Sequence, residues 1–257
     1  MFNDERHNKI LEYIELEGRV EVSKLSEKFG VSLDTVRRDL KKLEEDGHLK
    51  RTHGGAVRIK PIGKSYDYAT RKKLHPKEKE DIAKIAVSYI KEHDSILIDG
   101  STTIGALIPL LSSYSNLTVF ASNVQIALEL LSTNKCLRVF IIGGVLDTEN
   151  GSVVSHDAVT FINKLHVNKV FIGSCAISPE RGLSADIDDA PVKKAMLEAG
   201  DEIFILADHT KFKRESIMQV GEISSNYTII TDSKIEQEQP QILESLIEIG
   251  CKVLITK

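Results

Sequence analysis

Two arginines and a threonine, Thr35-Val36-Arg37-Arg38, stand near the start of the helix-forming run VSLDTVRRDL (Val31–Leu40). An arginine fork can pair bidentately with guanine or grip a phosphate. On an exposed helix of major-groove width, residues of the first turn reach base edges first. Thr35, Arg37 and Arg38 are therefore the expected groove contacts, one arginine suiting a base and the other a phosphate. A second set of residues suits an anion: Asp99-Gly100-Ser101-Thr102-Thr103, Ser122-Asn123, Gly143-Gly144 and Asp208-His209-Thr210-Lys211-Phe212. Hydroxyls and unshielded backbone N–H groups donate to phosphate oxygens, and an ammonium balances their charge.

The elements that must position the first set are short. Ile10, Leu11, Ile14 and Leu16 recur at near-helical spacing, so a helix is expected over Asp4 to Glu17, stopped by Gly18. Val20–Ser23 reads as a short extended piece, with Ser23 capping a second helix that ends at Gly30. Ser32 caps the third. Val36, Leu40 and Leu43 make a narrow apolar stripe on that helix, opposite Asp34, Arg38 and Lys41 and flanked by Thr35, Arg37 and Lys42. Gly47 ends it. His48–Val57 then reads as strand, Gly54-Gly55 turn, strand: a wing placing Lys50, Arg51 and His53 against a sugar-phosphate backbone. The expected DNA contacts are Ser32, Thr35, Arg37, Arg38, Lys42, Arg51 and His53. A solvated amphipathic helix would explain the charged face alone, but not the turn before it and the wing after it.

Charge supports a site-specific reader over a general polyelectrolyte binder. The whole chain carries −4, and residues 1–57 hold eleven Lys/Arg against twelve Asp/Glu. Non-specific affinity scales with the phosphates neutralised, so little of it is available here. Trp is absent and aromatics are only 5% of residues, which disfavours modules that stack single-stranded bases. Cys136, Cys175 and Cys251 are scattered without CxxC spacing and read as reduced core thiols. No apolar run reaches the length of a membrane span, and MFNDERHNK lacks a secretory apolar core, so a cytoplasmic protein is expected.

From Ile82 onward strands and helices alternate. Ser95–Asp99, Leu117–Ser122, Leu137–Ile142, Lys169–Ser174, Glu202–Asp208, Tyr227–Asp232 and Lys252–Thr256 are near-continuous apolar runs, most of them separated by helical patterns. That pattern predicts a Rossmann-like α/β domain with a mostly parallel sheet covered on both faces. Ligands of such sheets bind beyond the carboxyl ends of the strands, where the second set of residues falls. The basic stretch Arg58–Glu80, with eight Lys/Arg against three Asp/Glu, reads as a connector.

Enzyme signatures fail. There is no GxSxG, Gly63-Lys64-Ser65 lacks the upstream glycine of a P-loop, and the eight histidines show no HExxH or comparable metal spacing. No catalytic residue, metal or cofactor is expected.

The run VSLDTVRRDLKKLEEDGHLKRTHGGAV resembles the DeoR family of bacterial transcription regulators, and the resemblance continues through most of the chain. It implies a winged helix-turn-helix that binds operator DNA, usually as a repressor. It also implies an effector domain similar in fold to ribose phosphate isomerases. On that resemblance DGSTT matches the family's phosphate loop, Ser122-Asn123 its Thr-Asn pair, and DHTKF its Asp-Ser-Ser-Lys-Phe segment. Asp189 and Lys193 fall where a Glu and a Lys commonly occur, and Arg71 and Lys79 match recurring basic positions before the effector domain. Three residues depart from the pattern: Ser122 for Thr, His209 for Ser and Asp189 for Glu. The last undermines an isomerase-like general base, because Asp is one methylene shorter.

The expected organisation is an N-terminal winged helix-turn-helix (1–57), a basic linker (58–75) and a sensing and oligomerisation domain (76–257). The expected effector contacts are Asp99, Gly100, Ser101, Thr102, Thr103, Ser122, Asn123, Gly143, Gly144, Lys193, Asp208 and Lys211. The expected partners are double-stranded operator DNA, a phosphorylated sugar and further copies of the chain, since one small recognition helix reads too few base pairs alone. A dimer and a tetramer both meet that need. The alternatives are a sugar-phosphate isomerase with an appended DNA-binding domain, and a scaffold whose sheet domain only oligomerises.

Overall fold

The computed structural model describes residues 2–58, 66–213 and 216–257. The chain forms two compact units that divide between Tyr66 and Asp67.

In the smaller unit, α1 (Asn3–Glu17) leads through β1 (Arg19–Glu21) into α2 (Val22–Phe29) and α3 (Leu33–Glu45), and the wing is β2 (Leu49–Thr52) and β3 (Gly55–Arg58). The three strands form an antiparallel sheet in the order β1-β3-β2. Ile10, Leu11 and Ile14 of α1, Leu25 of α2 and Val36, Leu40 and Leu43 of α3 are buried together with Val20, Leu49 and Ala56. The side chain of Leu16 lies outside the described residues. Two local expectations change. Ser23 does not cap α2, which begins at Val22 after Glu21; pairing of Glu21 with Gly55 ends the strand there. The wing turns at His53-Gly54, and Gly55 already belongs to β3. A Cβ at Gly55 would collide with the Val20 carbonyl, so glycine is what lets β1 close on the wing.

The larger unit opens with α4 (Tyr68–Lys73) and α5 (Pro76–Val87), then β4 (Ser95–Ile98), α6 (Thr102–Leu107), β5 (Thr118–Ala121), α7 (Val124–Thr133), β6 (Arg138–Ile141) and α8 (His156–Ile162). Next come β7 (Val167–Gly173), β8 (Ala176–Ser178), β9 (Gly182–Ala185), α9 (Ala190–Leu197) and β10 (Gly200–Leu206). It closes with β11 (Met218–Gly221), β12 (Tyr227–Thr231), α10 (Lys234–Glu238), α11 (Pro240–Glu248) and β13 (Lys252–Ile255). All seven strands expected from the apolar runs join one fully parallel sheet, in the order β13-β12-β10-β7-β4-β5-β6. Side chains alternate between two cores. Val170, Ile172, Ile203, Ile205 and Ile229 pack under α8, α9 and α11, while Phe171, Phe204, Leu206 and Ile230 pack under α5, α6 and α7. This is why the strand sequences are apolar throughout.

Two features lay outside the sequence reading. β8, β9 and β11 form a small antiparallel sheet of their own. The stretch 58–75 holds a helix, α4, with Tyr66 and Tyr68 buried on either side of the division; its residues 59–65, including Gly63-Lys64-Ser65, lie outside the described residues. Among the described residues no helix is long and apolar enough to cross a membrane.

Candidate DNA-reading face and candidate effector site

On α3, the Ser32 hydroxyl accepts from the Thr35 amide at 3.1 Å and meets the Thr35 hydroxyl at 2.9 Å, so the first turn starts where expected. The polar face is exposed and charge-paired along the helix. Arg37 bridges Asp34 at 2.8 Å, Lys42 bridges Asp46 at 2.9 Å, and Lys41 lies 3.8 Å from Glu45. Arg51 of the wing lies 3.9 Å from Glu44, and its amide donates to the same carboxylate at 2.7 Å. Such exposed pairs are each worth about 0–1 kcal/mol, so a phosphate can take over these cations cheaply. Arg38 is exposed and, among the described residues, makes no ion pair or side-chain hydrogen bond. His53 is exposed at the wing tip. Beneath this face lies an ion pair that the apolar pattern hid. Asp39 is buried and takes two bonds from Arg6 of α1, at 2.5 and 2.9 Å, with His7 at 3.1 Å. It fixes α3 to α1 from below.

In the larger unit the strand order reverses between β4 and β7, and the ends of these two strands meet. The buried Asp99 carboxylate, just after β4, accepts from the Gly173 amide at 3.0 Å, from the Ser101 amide at 3.0 Å and from the Lys193 ammonium. Lys193 also donates to the Gly173 carbonyl at 2.9 Å and lies 3.6 Å from Asp189. Burial pulls the Lys193 ammonium towards its neutral form, but Asp99 and Asp189 more than offset that and raise its pKa, so it is a fixed cation. The Ser101 hydroxyl accepts from the Ile104 amide at 3.3 Å and caps α6, whose Thr102 and Thr103 N–H groups have no intrahelical acceptor. A Cβ at Gly173 would overlap Ser101, so these two strand ends approach as closely as backbone allows.

The next strand ends carry the rest of the anion-suited residues. Asn123 caps α7 through the Ile126 amide (3.1 Å), and its amide nitrogen reaches the Asn150 carbonyl (2.8 Å) and the Ser152 hydroxyl (3.2 Å). Asp208, after β10, is almost fully buried. Burial opposes its ionisation, but Lys211, Lys79 and His75, with a bond from Thr210, hold the carboxyl well below its usual range. Lys211 and Lys193 both act on the thiol of Cys175, which burial pushes up, so it is no thiolate nucleophile.

The profile of the DeoR-like helix-turn-helix domain matches residues 6–61, and that of the DeoR C-terminal sensor domain matches residues 74–233. The chain belongs to the DeoR family. Among curated relatives, the HTH-type transcriptional repressor GlcR of Bacillus subtilis is 31% identical across 100% of this chain and 98% of its own. The HTH-type transcriptional regulator GolR of Listeria innocua is 32% identical over 92% and 93%. The glycerol-3-phosphate regulon repressor of Escherichia coli is 29% identical over 95% and 96%. Among solved structures, ribose 5-phosphate isomerase A of Methanocaldococcus jannaschii aligns with a TM-score of 0.39 at 13% identity, over 52% and 53% of the two chains, a likeness too slight to carry an inference.

The three departures from the DeoR pattern now have positions. The Ser122 hydroxyl is buried 3.5 Å from the Ile98 carbonyl and 3.9 Å from the Met196 sulfur. The Nδ1 of His209 meets Asp232 at 2.9 Å and its ring stands edge-on to His75 at 5.0 Å, tying the ends of β10 and β12 together. Asp189 pairs with Lys193 at the start of α9, partly exposed, with a pKa raised by burial against the pull of Lys193.

The strand ends thus bring Asp99, Ser101 and Lys193 together, with Thr102 and Thr103 next along α6. Gly143 and Gly144 are exposed after the edge strand β6, and the part of that loop that reaches Asn123 is Asn150–Ser152. Two residues here were missed by sequence reasoning. Gly173 ends an apolar strand, and Asn150 lies in a loop with no motif. A glycine ending a buried strand was the only available signal, and it is weak.

Proposed function

We propose that this DeoR-family regulator represses an operon for the use of a sugar or polyol and that the phosphorylated sugar controls its hold on the operator. The effector lies across the strand ends, against Asp99–Thr103, Ser122, Asn123, Gly143, Gly144, Lys193, Asp208 and Lys211. The reading face is Ser32, Thr35, Arg37, Arg38, Lys42, Arg51 and His53. The observation that carries the effector half is the meeting of Ser101, Gly173 and the Lys193–Asp99 pair where the strand order reverses, which is where parallel sheets bind anionic ligands. The names of its relatives support repression, and one of them names a phosphorylated polyol, glycerol 3-phosphate. They are all regulators, which disfavours the isomerase alternative. The protein acts in the cytoplasm as a dimer or tetramer built through residues 76–257, since one recognition helix spans too few base pairs. An effector coupling of about 1–3 kcal/mol changes operator affinity roughly 5- to 150-fold.

A thermal-shift screen across sugar phosphates, followed by operator binding with each hit, tests this directly. A panel that shifts nothing removes the sensor half. Thr102→Glu puts a carboxylate where the phosphate belongs and is expected to abolish the effector's influence on operator binding; because Thr102 is buried, a ligand-free melting curve separates this from lost folding, and a normal response removes Thr102 from the site. Arg38→Ala is expected to weaken specific operator binding roughly 5- to 150-fold, the range for one bidentate base contact. Gel shifts at a fixed salt concentration check it, and unchanged binding takes Arg38 off the reading face.

A further inference from the structure

We propose that Tyr68 is a ligand group of the effector site and that α4 is the element that shifts when the ligand arrives. This rests on the sugar-phosphate reading above. Tyr68 begins α4, whose start is fixed by the Asp67 carboxylate accepting from the Thr70 amide at 2.9 Å and the Thr70 hydroxyl at 3.0 Å. The Tyr68 side chain is buried, and its hydroxyl has no hydrogen-bond partner among the described residues. Native folds seldom leave a buried hydroxyl in that state. The hydroxyl lies against Gly105, one turn along α6 from Ser101; the Gly105 amide bonds the Ser101 carbonyl at 3.0 Å. A Cβ at Gly105 would collide with this hydroxyl. Glycine inside a helix is unfavourable, so its use here makes room for a polar group on the helix that carries Thr102 and Thr103. Burial, with the charge of Glu129, pushes the phenol pKa up to about 12, and the charges of Arg71 and Asp99 also act on it. At neutral pH it stays protonated and can donate.

The rest of α4 is clasped to the same strand-end elements by polar bonds. Arg71 donates to the Asn150 side chain at 3.0 Å, and the Asn150 carbonyl is the acceptor for Asn123. Lys72 pairs with Glu129 of α7 at 2.7 Å. The buried Lys79 donates to the Arg71 and Leu74 carbonyls at 2.5 Å, holding the end of α4 onto α5. An effector oxygen can reach the enclosed hydroxyl only if α4 moves to admit it, and the ligand bond then favours the shifted position. In chain order α4 is the first element of the larger unit.

The test uses the full chain and a panel of glucose 6-phosphate, fructose 1-phosphate, ribose 5-phosphate and glycerol 3-phosphate. Tyr68→Phe is expected to melt at or above the wild-type temperature without ligand, because it removes an unpaired hydroxyl. It is expected to bind the panel member that shifts the wild type about 3- to 12-fold more weakly, the loss of one neutral hydrogen bond. Gly105→Ala, which fills the same slot, is expected to weaken that binding as well. Equal affinity of wild type and Tyr68→Phe overturns the proposal, as does a lower ligand-free melting temperature, which would mean that the hydroxyl has a structural partner. Amide exchange over residues 68–73 that is unchanged by the bound probe overturns the movement of α4. If the wild type answers no panel member, the sugar-phosphate reading fails and this one falls with it; if the wild type answers and Tyr68→Phe answers equally, only this one fails.

Discussion

Lys193→Met is expected to cost the larger unit about 3–5 kcal/mol, the penalty for stripping one partner from a buried ion pair. Lys193 and Asp99 are both almost fully buried, and among the described residues Lys193 is the cation bonded to the carboxylate. After the substitution Asp99 keeps the Gly173 and Ser101 amides, which stabilise it only in part. In a unit of this size that is a fall in melting temperature of roughly 6–20 °C. The double variant Asp99→Asn with Lys193→Met removes both charges and is expected to recover most of the loss, although effector response stays absent in both. Calorimetry on the single and double variants decides the matter. A Lys193→Met protein as stable as the wild type would mean that the pair is not enclosed between β4, β7 and α9 as described.

Arg6→Met is expected to destabilise the DNA-reading unit severely and so weaken or abolish operator binding. Asp39 faces the interior of that unit, and Arg6 supplies two of its bonds; only His7, charged when protonated, remains. The stranded carboxylate costs about 3–5 kcal/mol. A unit of 66 residues holds on the order of 3–10 kcal/mol in total, so the loss removes from about a third to all of it. Arg6→Met with Asp39→Leu replaces the pair by apolar groups and is expected to refold. Circular dichroism of the isolated variants, beside gel shifts, separates lost folding from lost contact. Arg38→Ala gives the contrast, because it is expected to lose DNA while keeping its helix. If Arg6→Met retains full operator binding, the buried pair contributes little to holding α3.

Much of this molecule was legible because its elements obey short-range rules. The Ser32 cap, the stripe Val36, Leu40, Leu43 and the stop near Gly47 set α3 to within two residues. Seven apolar runs became the seven strands of one parallel sheet, because burial on both faces leaves no polar alternation to confuse the pattern. Less was legible where a residue's role depends on something far along the chain. Ser23 looks like a helix cap, yet the pairing of Glu21 with Gly55 sets where α2 begins. The strands β8, β9 and β11 are three or four residues long; β8 and β9 make a short hairpin, and β11 joins β9 only from far along the chain. α4 lies in a stretch whose basic composition reads as a connector, and the packing of Tyr68 on Gly105 is what makes it part of the larger unit.

Arg6 with Asp39, and Lys193 with Asp99, mark the division. The sequence by itself determined the helix α3 with its exposed arginines and the parallel sheet whose strand ends carry hydroxyl-rich loops. These follow from periodicity, capping and turn chemistry, all of which act over a few residues. The tertiary structure alone decided which charges are paired. Asp39 is spaced from Arg6 by 33 residues and Asp99 from Lys193 by 94, and no local pattern distinguishes these carboxylates from solvated ones. A buried charge must find its partner wherever the fold places it, so its partner is fixed by the crossing of helices and the order of strands and not by its neighbours in the chain.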